Sequence, residues 1–261
     1  MNIFKNIRKT LSICLWAVIG AGIIVMMVAA VNARSQKTCN GYNIRINGQS
    51  DGKWFLDKED ILRILTDNHK QKIKSRNLRS FQLASLETKL EKQAWVKNAE
   101  LFFDNSGILQ VRVVQREPIA RIFTASGESF YIDSAGHRLP LSDRVAVKLP
   151  VFTGFPSDGR KIKEIDKRLL WDIRLASLFL SKEPFWMAQA AQIAITHSRE
   201  FEMIPTVGNH LVELGDASNL EEKFGRLMVF YKQVLSRAGM DKYERIKVQY
   251  DKQVVGVKKK S

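Results

Sequence analysis

Hydrophobic positions fall into three successive patterns along the chain. From Thr10 to Val31 the sequence TLSICLWAVIGAGIIVMMVAAV carries no charge and is long enough to cross a bilayer as a helix. Its glycines and alanines suit such a span, because in lipid the backbone must satisfy its own hydrogen bonds whatever the side chains prefer. A cleaved signal peptide is the competing reading, since Lys5, Arg8 and Lys9 form a basic leader and Val31-Asn32-Ala33 a small-x-small site. The apolar run exceeds the roughly 7–15 residues of a signal, which favours a retained anchor. Arg34, Lys37 and Arg45 follow the run, so flanking charge is nearly balanced. A long folded domain is translocated largely regardless of charge, whereas a short basic tail stays inside. The expectation is a cytoplasmic tail at 1–9, one span at 10–31 and the bulk of the chain outside.

The second pattern mixes periods of two and of 3.6. Tyr42–Ile46 alternates as a half-buried strand should. Asp57 is placed to cap a helix over Lys58–Asp67, with Asp60 as the reciprocal cap and Leu56 and Ile61 as a hydrophobic staple. A second helix over Phe81–Gln93 sets Leu83, Leu86 and Leu90 on one stripe. Trp95–Asp104 and Ile108–Gln115 read as strands joined through the turn residues Asn105-Ser106-Gly107. The order is β-α-α-β-β, within a unit spanning 39–116.

Gln115-Arg116-Glu117-Pro118 then leads without a flexible linker into a strand-rich pattern at 117–261. Strands are expected at Ile119–Ala125, Ser129–Asp133, Leu149–Thr153, Ala191–Thr196, Phe201–Ile204 and His210–Leu214, with a type II′ turn at Gly208-Asn209. Two helices interrupt them. One covers Asp166–Leu180, with Leu169, Ile173, Ala176 and Leu180 on one face. The other opens on the capping pattern Ser218-Asn219-Leu220-Glu221, carries Leu220, Phe224, Leu227, Tyr231 and Leu235 as its stripe, and meets a left-handed stop at Gly239. Arg245–Tyr250 and Gln253–Lys258 close the fold as strands. The class is therefore α+β: one transmembrane helix, a β-α-α-β-β domain and a mixed β-rich domain with two helices.

Composition narrows the function. With 45% apolar residues the chain can bury a real core. Its 42 Lys+Arg against 27 Asp+Glu give a net charge of +15, a field suited to nucleic acid, anionic lipid or an acidic partner. The basic residues are spread along the chain rather than gathered between aromatics, and an extracytoplasmic location removes nucleic acid as a partner. Cys14 lies in the apolar run and Cys39 beyond it, no CxxC occurs, and His69, His137, His197 and His210 are scattered, so neither a disulfide nor a zinc site is expected.

No converging set of nucleophile, base and stabiliser stands out, and neither cofactor nor small-molecule substrate is expected. Asp133 and His137 flank a glycine turn and read as solvated; His197 reads as a surface residue. Ser218, Glu221 and Glu222 are explained by a helix start. Trp171, Phe179, Phe185 and Trp186 read as core rather than as an exposed patch.

The anchor, the β-α-α-β-β unit and the direct run into a β-rich unit resemble the FtsQ/DivIB family. Local motifs agree in order: Trp95-Val96-Lys97-Asn98-Ala99, Gln115-Arg116-Glu117-Pro118-Ile119-Ala120 and Phe130-Tyr131-Ile132-Asp133-Ser134-Ala135-Gly136. Leu149-Pro150-Val151, Met203-Ile204-Pro205-Thr206-Val207-Gly208 and the final Val254-Val255 follow. The short cytoplasmic tail departs from many relatives. The resemblance implies a POTRA domain followed by a β domain. It further implies a non-catalytic hub at the division septum of the plasma or inner membrane, recruiting a coiled-coil pair like FtsB and FtsL upstream of septal peptidoglycan synthesis.

The residues point to the same mechanism, because the last strand is expected at a sheet edge, where it can accept a partner strand. The candidate docking residues are Tyr250, Gln253, Val254, Val255, Gly256 and Val257, with Gly256 free to allow close backbone approach. Lys258-Lys259-Lys260 would either guard that edge or favour an acidic partner. A membrane-anchored envelope hydrolase and a POTRA-bearing assembly or secretion component are the rivals. The first needs a catalytic cluster, the second tandem POTRA units or a barrel.

Overall fold

The computed structural model describes residues 16–27, 37–48, 54–157 and 162–259. Residues 16–27 form helix α1, whose Trp16, Val18, Ile24 and Met26 side chains are exposed. Among the described residues no helix is long and apolar enough to cross a membrane. The tail expected at 1–9 and both ends of the span expected at 10–31 lie outside them.

The chain divides into two compact units. The first contains β1 (Gly41–Asn47), α2 (Lys58–Leu65), α3 (Leu83–Glu91), β2 (Val96–Phe103) and β3 (Ile108–Gln115), the expected β-α-α-β-β order. Its sheet runs β1-β3-β2, with β1 parallel to β3. Parallel neighbours need a crossover connection, and β2, α2 and α3 all lie between these two strands in sequence. Leu109, Val111 and Val113 of β3 are fully buried, as their alternation predicts. The capping box is complete: Asp60 N–H donates to Asp57 Oδ1 at 2.7 Å and Asp57 N–H to Asp60 Oδ2 at 3.1 Å. Helix α2 stops two residues earlier than its pattern suggests, because Asp67, Asn68 and His69 all take positive φ, a conformation that cannot extend a right-handed helix.

The second unit begins at Gln115 and also takes in, among the described residues, Gly48, Trp54 and Phe55, which the sequence suggests belong to a continuous first unit. The Gln115 side chain explains this. Its Oε1 accepts from Phe55 N–H at 2.7 Å and its Nε2 donates to Gly48 O at 3.0 Å.

The strands are β4 (Pro118–Thr124), β5 (Ser129–Asp133), β6 (Arg138–Leu139), β7 (Val151–Phe155), β8 (Ala190–Ile195), β9 (Phe201–Pro205), β10 (Leu211–Gly215), β11 (Tyr243–Lys247) and β12 (Val255–Lys258). They form one sheet in the order β12-β11-β10-β9-β8-β7-β4-β5-β6. Two of its parallel pairs, β7 with β8 and β10 with β11, are each joined through helices. The first passes through α4 (Lys167–Lys182) and α5 (Pro184–Gln189). The second passes through α6 (Leu220–Phe230), a π-helical turn at Tyr231–Leu235 and α7 (Ser236–Ala238). Leu169, Ile173, Ala176 and Leu180 of α4, and Leu220, Phe224 and Leu227 of α6, share one core with Phe152, Phe201, Met203 and Ile246 from the sheet.

Several local expectations are corrected. Helix α5 is a third helix, which its N-terminal Pro184 permits because that position needs no N–H partner. Ser218 does not cap α6: its hydroxyl bonds Asp216 Oδ1 at 2.5 Å, and the cap residue is Asn219, in a left-handed conformation. Gly239 has positive φ but extended ψ, so it leaves the helix by a different turn from the left-handed stop. Of the four aromatics read as core, Trp186 is buried, but Trp171 is 51% and Phe185 49% exposed. Trp171 lies on the outer side of α4 beneath the Arg174 guanidinium, 4.5 Å from its ring centroid.

Phe152 is fully buried and meets Phe201 edge to face at 5.7 Å. Phe152→Ala should lower unfolding free energy by about 3–5 kcal/mol in urea titrations; a loss below about 1 kcal/mol contradicts this placement of the core.

Candidate functional site: the open edge of the large sheet

Strand β12 has β11 on one side and no sheet neighbour on the other among the described residues. It pairs antiparallel, Arg245 facing Val257, Ile246 facing Gly256 and Lys247 facing Val255, with a bulge between Tyr243 and Arg245. The side chains of Val255 and Val257 are 39% and 37% exposed. Beyond the strand, Lys259 N–H donates to Lys242 O at 3.2 Å. Backbone N–H direction alternates along a strand, so Val257 and Val255 also turn their N–H groups toward β11, and Lys258 and Gly256 turn theirs outward. Such outward groups are what a partner strand would use.

The expected docking residues sort into two places. Val255, Gly256 and Val257 are in β12. Tyr250, Gln253 and Val254 belong to the preceding loop, since the strand starts two residues later than its pattern suggests. Gly256 has an internal explanation that its sequence context did not offer. A Cβ there would lie 2.6 Å from the Tyr243 ring and 3.2 Å from Phe230, two rings packed edge to face at 5.3 Å. The missing side chain therefore makes room for β11 and α6.

A cleft of about 270 Å³ opens beside this edge, lined by Arg226, Val229, Phe230, Gln233, Val234, Lys252, Gln253 and Val254. The sequence pointed to only two of these. Arg226, Val229 and Gln233 lie off the apolar stripe of the terminal helix, where polar and single apolar positions read as ordinary surface. Arg226 fixes the loop: its Nη2 donates to Val248 O at 3.0 Å and Tyr250 O at 3.2 Å. Val229, Phe230 and Val234 give the cleft an apolar lining; its cations are Lys252 and Arg226, the latter also paired with Glu222 Oε2 at 3.7 Å.

Behind the edge, Arg245 Nη1 bridges Glu202 Oε1 at 3.0 Å and Glu213 Oε1 at 2.8 Å, and Lys247 Nζ reaches Glu213 Oε2 at 3.1 Å. Burial pushes the Glu213 carboxyl up, but its bonds to Arg245 and Lys247 outweigh that and hold it below the usual carboxylate range. Cross-strand charge pairs thus hold β9, β10 and β11 in register.

The titratable residues considered for catalysis lie elsewhere. Asp133 is buried rather than solvated, and its oxygens accept from Arg116 at 2.8 Å, Ala135 N–H at 2.9 Å and His137 N–H at 2.8 Å. A carboxylate so occupied organises the turn after β5. Burial raises its pKa, yet these bonds and the His137 ring bring it below the ordinary value. His137 remains exposed beside it. His197 lines a second cleft of about 250 Å³ with Gly154, Thr196 and Arg199, while His210 is buried. Among the described residues no group of three or more His, Cys, Asp or Glu is placed to hold a metal ion.

Comparison with known proteins agrees with this architecture. Residues 117–257 match the model of the family described as FtsQ/DivIB, C-terminal related, and residues 37–114 match the POTRA-like domain. A relative, the cell division protein FtsQ of Salinibacter ruber (strain DSM 13855 / M31), is 27% identical over 183 residues. That match covers 64% of this chain and 66% of the relative, just short of two thirds of its length.

The alternation of N–H groups yields a parity test. Val255→Pro removes an inward donor and should lower the melting temperature by several degrees, the equivalent of about 1–3 kcal/mol. Lys258→Pro removes an outward donor and should melt within about a degree of Lys258→Ala. Equal losses from the two proline variants contradict the assigned phase.

Proposed function

The chain belongs to the FtsQ/DivIB family, and from that premise we propose that it is a non-catalytic scaffold of the bacterial division machinery. In this function a helix at Thr10–Val31 anchors it in the plasma or inner membrane, with the N-terminus inside and the POTRA and β domains outside. The scaffold gathers division membrane proteins resembling FtsB and FtsL at the septum, and through them septal peptidoglycan synthesis proteins.

The observation that carries the proposal is the open edge of β12, with outward N–H groups and an apolar, cation-flanked cleft beside it. A partner segment adding one strand there gains main-chain hydrogen bonds worth about 1 kcal/mol each. Specificity then comes from what its side chains find in the cleft. The net charge of +15 favours an acidic segment and speeds its encounter with the edge.

No bond-making step is assigned to any residue, so the scaffold should tolerate loss of single titratable groups. In cells depleted of the native protein, Asp133→Ala, His137→Ala and His197→Ala, each normally expressed, should support division. A fluorescent fusion should form a midcell band, and protease added to spheroplasts should digest the bulk of the chain. Lys258→Pro, but not Lys258→Ala, should lose co-purification of the FtsB-like partner. A uniform envelope signal, or capture undiminished in the proline variant, contradicts the proposal.

A further inference from the structure

The first unit has sheet edges of its own, and one of them is occupied by side chains. Strand β2 has β3 on one side and no sheet neighbour on the other among the described residues. It spans eight residues against four in β12 and carries Leu101-Phe102-Phe103, with Phe102 37% exposed. A long apolar edge of this kind is the more hazardous template for an extended segment.

Its outward donors are nevertheless taken. Asp104 N–H donates to Ile108 O across the hairpin at 3.1 Å. N–H direction alternates along the strand, so Phe102 and Glu100 also turn theirs toward β3, and Leu101 and Ala99 turn theirs outward. Both outward groups end on carboxylates of α3: Leu101 N–H donates to Glu87 Oε1 at 2.7 Å, and Ala99 N–H to Glu91 Oε1 at 3.3 Å. The two spacings match. Residues four apart on a helix share a face and lie about 6 Å apart along its axis. Residues two apart on a strand share an edge and lie about 6.7 Å apart. Glu87 meets the later strand residue and Glu91 the earlier, so α3 runs antiparallel to β2 with both carboxylates reaching one edge. Fully buried Leu90 fixes the helix there, and the buried side chains of Ala99 and Leu101 fix the strand.

An incoming strand builds its ladder by accepting from outward N–H groups. At β2 it must first displace two carboxylates, and the 2.7 Å bond to Glu87 has the short length of the stronger, charge-assisted kind. Carboxylates along an edge also repel an acidic segment, whereas Arg226 and Lys252 beside β12 attract one. We propose that Glu87 and Glu91 are edge caps that withhold β2 from strand addition and so direct an extended partner away from the first unit and toward β12. The direction of a partner rests on the edge-strand function proposed above. The capping is a property of this chain alone and is testable without any partner.

Native-state amide exchange of the full chain reads the caps directly. In the unmodified protein the Ala99 and Leu101 amides should exchange slowly although they lie on an edge. Glu87→Ala/Glu91→Ala should speed both at least about tenfold relative to Val111 and Val113 of β3. Glu87→Gln/Glu91→Gln, which keeps an acceptor oxygen at each position, should stay within about threefold of the unmodified chain. At raised concentration the double alanine variant should gain a self-association in which Ala99 and Leu101 recover protection, and the glutamine variant should not. Glu87→Ala alone should expose Leu101 but not Ala99, which keeps the test decisive if the double variant folds poorly. Fast exchange of both amides in the unmodified protein, or unchanged exchange in the folded alanine variants, overturns the caps. Exposed amides without any gained association overturn their role in withholding the edge. If Lys258→Pro still captures the FtsB-like protein while Ala99 and Leu101 behave as stated, docking at β12 is refuted and the caps stand.

Discussion

Strand β11 lies parallel to β10 only because the chain between them crosses back over the sheet as α6, the π turn and α7. The arrangement at the C-terminal edge follows from that crossover. A parallel neighbour cannot be reached by a tight turn, so the chain must spend a helix there, and the helix buries Leu220, Phe224, Leu227, Tyr231 and Leu235 in the core. What remains after β11 is a short antiparallel return, β12, which has no further sheet neighbour among the described residues. The same helix supplies Phe230 to the space vacated at Gly256 and Arg226 to the carbonyls of the loop. The edge is therefore rigidly supported along its inner side and open along its outer side, the combination that strand addition needs.

Open edges are hazards as well as sites, because any extended segment can pair with them. Here β12 is short, spanning Val255–Lys258, with lysines at its end and a bulge opposite in β11. These features discourage self-association of like-charged copies while leaving the outward N–H groups available to an acidic segment. The pairing of Arg245 with Glu202 and Glu213 keeps the inner strands in register without drawing on the charges at the edge itself.

Much of this was legible in the sequence wherever the period of burial was unambiguous. The stripe Leu169, Ile173, Ala176, Leu180 and the alternation Leu109, Val111, Val113 are buried as read, since burial periodicity is a direct imprint of helix and strand geometry. The Asp57–Asp60 capping box is local chemistry and was equally plain. Errors arose where tertiary contacts decide. Ser218 sits before a helix with a glutamate three residues on, yet Asp216 captures its hydroxyl while Lys223 Nζ also bonds Asp216. Gly256 looked like an accommodation for a partner, and only the rings of Tyr243 and Phe230 reveal the internal reason. The cleft beside the edge joins residues from α6 with residues from the last loop, a juxtaposition that no linear spacing announces.

The central claim is that a partner's backbone pairs with the outer side of β12, and amide exchange of the complex tests it residue by residue. The account predicts that the Gly256 and Lys258 amides exchange freely in the isolated protein and become protected when partner is bound. Val255 and Val257, already bonded to β11, should be protected in both states. Binding that leaves Gly256 and Lys258 in fast exchange, with new protection appearing on another face, would contradict it.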